Sequence, residues 1–140
     1  MRKLLLVLCP ALLLGQNFAE PAMAPNRPEL YFSSGGDIWR APLAGGEASL
    51  LVSHPADDSR PMPSPDGNWL AFQSTRSGSG DIYLLNLESS TLRRLTFDGF
   101  PDSLNGWSAD SRHVYFHSSG RDISGMNDIY RIAAAGGTPE

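Results

Sequence analysis

The sequence predicts an all-β fold of four-stranded antiparallel units, and three observations point to it. Landmarks recur at a fixed step, no segment after the first 24 residues carries apolar residues at helical spacing, and the apolar runs are short. Ser64-Pro65-Asp66-Gly67 returns 44 residues later as Ser108-Ala109-Asp110-Ser111, and Leu70-Ala71-Phe72 returns as Val114-Tyr115-Phe116 at the same step. Asp37-Ile38-Trp39, Asp81-Ile82-Tyr83 and Asp128-Ile129-Tyr130 follow one another at 44 and then 47 residues, with the extra three falling in 118–127. Leu51-Val52 matches Leu95-Thr96, and Ala44-Gly45-Gly46 matches Ala135-Gly136-Gly137, in the same register. Independent landmarks that hold one register define a repeat.

The middle unit predicts strands near 59–64, 68–74, 82–87 and 92–96, each rich in aromatic or branched residues. Its first turn has a mechanism. Pro65 presets φ, Asp66 can bond neighbouring backbone, and Gly67 accepts positive φ. The third unit has Ala109 and Ser111 in place of Pro and Gly, which predicts a less tightly specified turn. Four antiparallel strands at a period of about 44 residues form a blade of a β-propeller, and 4 to 8 blades close a ring. The blades fall near 28–54, 55–98 and 99–140, so the ring is incomplete.

The first blade opens at Leu30-Tyr31-Phe32, which aligns with a second strand, and its first strand reads as missing. Residues 136–140 stop short of the place for the last fourth strand. These ends predict the N-terminal piece of a longer protein. With open sheet faces and an unpaired edge, such a piece is expected to aggregate or stay partly unfolded on its own.

Residues 1–24 read as a secretory signal peptide: a cationic Met1-Arg2-Lys3, a 12-residue apolar run over 4–15, then small residues around Ala22-Met23-Ala24. The run is too short for a transmembrane helix, so no membrane association is expected after cleavage, and the location is periplasmic or secreted. Cys9, the single cysteine, leaves with the leader, so disulfides and thiolate metal sites are excluded from the rest. The net charge of −4 and the absence of a basic cluster argue against nucleic acid.

The stretch from Arg60 through Ser64-Pro65-Asp66-Gly67 and Asp81-Ile82-Tyr83 to Arg94-Leu95-Thr96 resembles the TolB-like β-propeller repeat. Leu95-Thr96-Phe97-Asp98, Asn105-Gly106-Trp107-Ser108-Ala109-Asp110 and the run from Arg121 to Arg131 narrow the resemblance to the N-terminal propeller of secreted tricorn-type serine proteases. In that family a second propeller, a PDZ domain and an α/β catalytic domain follow, and the catalytic residues lie in the last. None of those parts is matched here, so no catalytic residue carries over. The resemblance implies a non-catalytic segment that binds or guides peptides, with peptides or proteins and the remainder of its own propeller as partners. A TolB-like periplasmic protein-binding scaffold without hydrolytic activity is the alternative. A third reading is a propeller that carries chemistry in its own channel.

The residues add little chemistry of their own. His113 and His117 are four apart in a strand, about 13 Å, which is too far to share one ion. Both point to the side opposite Val114 and Phe116, which suits a polar or inter-blade face. No Gly-x-Ser-x-Gly is present. The acids of 122–128 do not follow the spacing of a calcium loop, so neither metal nor cofactor is expected. Asp37, Asp81 and Asp128 are expected to bond loop amides where third strands begin. First strands line a propeller's channel, which makes Asp58 and Arg60, with their counterparts Asp102 and Asn105, the candidate ligand-binding residues at the axis or its mouth. Loops 54–57, 75–80, 98–101 and 121–127 share the adjoining rim.

Overall fold

The computed structural model describes residues 18–121 and 125–140. The leader's apolar run and residues 122–124 of the acidic 122–128 loop lie outside these residues. Among the described residues no helix is long and apolar enough to cross a membrane. The chain forms three antiparallel sheets in sequence order. Strands β1 (Ala19–Met23), β2 (Glu29–Ser34), β3 (Asp37–Pro42) and β4 (Ser49–Val52) make the first. Strands β5 (Asp58–Pro63), β6 (Trp69–Ser74), β7 (Asp81–Asn86) and β8 (Leu92–Arg94) make the second, and β9 (Asp102–Trp107), β10 (His113–Ser118) and β11 (Asp128–Ala133) the third. The all-β, four-stranded, unclosed architecture is that of successive propeller blades.

Two of the sequence expectations change. The first blade does possess a first strand: Ala19–Met23 pairs with β2 through Ala22↔Tyr31 and Met23↔Leu30. It occupies residues that the sequence places in the leader. In the third blade, Glu140 exchanges both backbone hydrogen bonds with Arg131 at 2.9 Å. This is the place that Arg93 takes opposite Leu84 in the second blade, so the last residue already stands where a fourth strand pairs.

The turn of the third blade is also tighter than its composition predicts. In the second blade Ser64 Oγ donates to Asp66 Oδ1 at 2.5 Å, and the Oγ accepts from Trp69 N at 3.0 Å. In the third, Ser108 Oγ donates to Asp110 Oδ1 at 2.6 Å and accepts from His113 N at 2.9 Å. Gly67 has φ 72° and Ser111 has φ 61°, so the serine accepts the left-handed conformation. The Ser-x-Asp pair, present in both, organises the turn, and Pro65 and Gly67 only ease it.

Two clusters bury the apolar faces between blades. Tyr31, Ile38 and Val52 of the first blade pack with Leu70, Phe72, Tyr83 and Leu85 of the second. Ala71, Ile82, Leu84 and Leu95 on the second blade's other face pack with Leu104, Val114, Phe116 and Ile132 of the third. Strand alternation sends Leu70 and Phe72 one way and Ala71 the other, which is why both faces of the middle sheet are apolar.

Candidate functional site

The first strands β1, β5 and β9 pack against one another along the chain. Each carries one extra residue against its partner strand, at the same place. Glu20-Pro21 face Phe32, Arg60-Pro61 face Phe72, and Leu104-Asn105 face Phe116. Such bulges bend the strand and re-aim its side chains. Glu20 and Arg60 take φ 55° and 53° there, so two non-glycine residues are held in a left-handed conformation at equivalent sites.

The bulges are wired together. Arg60 N donates to Glu20 Oε2 at 2.6 Å, and its guanidinium lies 3.4 Å from Glu20 Oε1. Arg60 Nη1 then donates to Leu104 O at 3.2 Å. One arginine thus spans three consecutive first strands. Asn105, exposed on the third bulge, places Oδ1 3.0 Å from His117 Nδ1.

The structure separates the four candidate residues into two pairs. Arg60 and Asn105 reach solvent on the bulges, and Arg60's side chain is 42% exposed. Asp58 and Asp102 are enclosed at the starts of β5 and β9. Asp58 accepts from Arg76 Nη2 with both oxygens, at 2.8 and 2.7 Å. The Arg76 guanidinium also lies over the rings of Phe72 and Tyr83, at 5.6 and 4.9 Å from their centroids. Asp102 occupies the same repeat position, but Arg121 Nη2 stays 3.9 Å away and pairs closely with Asp98. Neither Asp102 oxygen makes a hydrogen bond of good geometry. Burial pushes the Asp102 carboxyl up, and the nearby Thr96 and Ser118 hydroxyls only partly oppose this.

Asp81 has a structural role, though through side chains rather than loop amides. Arg94 Nη2 donates to it at 3.0 Å, and the Ser77 hydroxyl bonds the other oxygen. Asp81, Asp98 and Asp102 present oxygens within 4.8 Å of one another. Arg94 pairs with Asp81 and Arg121 with Asp98, so two of the three carboxylates are in close ion pairs. Two of the rim loops meet: Asp57 N bonds Thr75 Oγ1 at 3.1 Å, and Thr75 N bonds Asp57 O at 3.0 Å.

Glu20 escaped the sequence reading, although a signal existed. Glu20-Pro21, Leu30, Phe32 and Ser34 precede Arg60-Pro61, Leu70, Phe72 and Ser74 by a constant 40 residues. The step is 40 rather than 44 because the β2–β3 loop is four residues shorter than the β6–β7 loop. At that step Phe18 takes the place of Asp58, and it packs on Phe32 with ring centroids 5.4 Å apart. An aromatic pair there replaces the Asp58–Arg76 ion pair of the second blade.

Residues 18–140 match the family described as the tricorn protease N-terminal β-propeller domain. The chain belongs to that family. Tricorn protease homolog 1 of Streptomyces coelicolor is 32% identical over 69% of this chain, which spans 9% of that relative. Among solved structures, TolB from Acinetobacter baumannii superposes with a TM-score of 0.71 at 22% identity, over 89% of this chain and 32% of that one. The tricorn protease superposes with a TM-score of 0.68 at 22% identity, over 82% of this chain and 12% of that one. At these identities the structural matches establish the propeller fold alone. Glu20, Arg60 and Asn105 all lie on the first strands of their sheets.

Proposed function

We propose that this chain is a non-catalytic β-propeller segment of a secreted, tricorn-type serine peptidase, and that it binds or guides peptides for a catalytic domain outside these residues. The observation that carries the reading is the row of bulges. Glu20 and Arg60 offer a carboxylate and a guanidinium at equivalent points of adjacent first strands, and Asn105, whose equivalent is Pro61 rather than Arg60, adds an amide on the third bulge. An extended peptide has donors and acceptors at short, regular spacing, and a row of this kind can exchange hydrogen bonds with its backbone or termini. Asp58 and Asp102 are enclosed and would not touch the peptide; Asp58, paired with Arg76, would hold the start of its strand. The leader-like residues 1–24 support export to the periplasm or beyond.

Anisotropy of a fluorescein-labelled, unstructured decapeptide titrated with the chain tests the reading. Saturable binding is expected, weakened about tenfold by Arg60→Ala, since a hydrogen bond to a charged group contributes on the order of 1.5–3 kcal/mol. The peptide should remain uncleaved. Absence of saturable binding, or binding indifferent to both Arg60→Ala and Asn105→Ala, overturns it.

A further inference from the structure

We infer that, given export by the leader proposed above, the processing peptidase cuts this chain upstream of Glu20, so that residues 20–23 remain as the first strand of the first blade.

The small-x-small run Ala22-Met23-Ala24 has the pattern of a cleavage site. A cut after Ala24 would delete β1 and leave Pro25 as the first residue. The folded blade uses what that cut removes. Ala22 stands opposite Tyr31 and Met23 opposite Leu30, and Ala24 N donates to Glu29 O at 3.0 Å. Ala24 is itself buried in the core cluster with Tyr31 and Ile38. Without β1, one side of β2 becomes a row of unpaired backbone groups. The loss would reach the second blade as well. Glu20 Oε2 accepts from Ser33 Oγ at 3.0 Å and from Arg60 N at 2.6 Å. Arg60 has φ 53°, a sparsely populated conformation for a residue with a side chain, and Glu20 holds its amide there.

A processing peptidase meets the chain before it folds, so the fold cannot shield the bond after Ala24. The sequence must do so, and Pro25 does. Its nitrogen makes Ala24–Pro25 a tertiary amide with a fixed φ and no N–H, which suits a peptidase active site poorly. The small residues at 22 and 24 then serve the fold, since they fit the pairing with β2 and the core beneath it. Upstream, the apolar run ends at Gly15 and gives way to Gln16-Asn17-Phe18-Ala19. Small residues, Gly15 and Ala19, border that interval. A cut after either one leaves Glu20, its carboxylate and the thread to Arg60 in the exported chain. The conflict between leader and strand is thereby resolved: the two abut and do not overlap.

The full chain, expressed with its own leader in a Gram-negative host, provides the test. N-terminal sequencing and intact mass of the exported protein should place its first residue between Gln16 and Glu20. Ala24→Gln removes the small residue that a cut after position 24 requires. In a pulse–chase experiment, which reads processing before folding or turnover matters, this variant should be cut at the same bond and to the same extent as the unsubstituted chain. An exported chain that begins at Pro25, or uncut precursor that accumulates with Ala24→Gln, overturns the inference while the leader reading stands. A chain that is neither cut nor exported overturns both.

Discussion

A single guanidinium nitrogen, Nη2 of Arg76, lies 2.8 and 2.7 Å from the two carboxylate oxygens of Asp58. The Asp58 side chain has no exposed surface, and Arg76's is 13% exposed. Removing one partner of a buried pair leaves the other's charge uncompensated. Asp58→Asn should therefore destabilise the fold by about 3 kcal/mol, read from the urea midpoint. An unchanged midpoint would show that the pair is not formed.

The same substitution one blade on should act in the opposite direction. Asp102 sits at the equivalent position, but its arginine is drawn to Asp98. Burial raises its pKa, so charging it at neutral pH costs folding free energy. Asp102→Asn should leave stability at pH 7 unchanged or higher. For the unsubstituted residue the sign is that of a raised acid: its contribution improves as pH falls through its folded pKa toward the ordinary carboxylate value. Urea titrations of both variants at pH 7 and pH 5 check the contrast.

Acid should act on the turns with the reverse sign. Burial works against Asp66, yet hydrogen bonds from Ser64 and Asn68 outweigh it and hold its pKa below the usual carboxylate value. The Ser108 hydroxyl and the Arg112 amide do the same for Asp110. Stability from a depressed acid is present above its unfolded pKa and is lost as pH falls through the folded one, here below about 4. Asp66→Asn with Asp110→Asn should lower stability at pH 7 and flatten its decline below pH 4.

Gly67 occupies a place where a side chain meets two penalties. Its φ is 72°, and an added Cβ would fall 2.1 Å from Asn26 Oδ1, whose amide nitrogen bonds Asp66 O at 3.0 Å. Gly67→Ala should cost at least about 1 kcal/mol from the left-handed backbone alone. Thermal unfolding should show the loss, and Asn26→Ala should recover the steric part only.

Much of the fold was legible because its signals are local. The alternation of Leu70 and Phe72 against Ala71, the Ser-x-Asp turns and the recurrent Asp-Ile-aromatic starts each act within a few residues. The strand β1 was hidden because Ala19–Met23 lacks branched residues and adjoins a leader-like run, so only its pairing with β2 reveals it. The candidate site was half legible. First-strand residues could be chosen from the repeat, but repeat position does not tell an enclosed aspartate from an exposed arginine.

The sequence by itself determined the all-β class, the four-strand repeat with the strand order of its middle unit, and the positions of the tight turns, since these depend on period-two patterning and short-range hydrogen bonds. The tertiary structure decided which partner each charged side chain takes. Asp58 and Asp102 share a register, yet a loop of different length places Arg76 on one and draws Arg121 from the other. It also decided that Glu20, Arg60 and Leu104 form one thread, because three bulges must first be stacked before one guanidinium can span them.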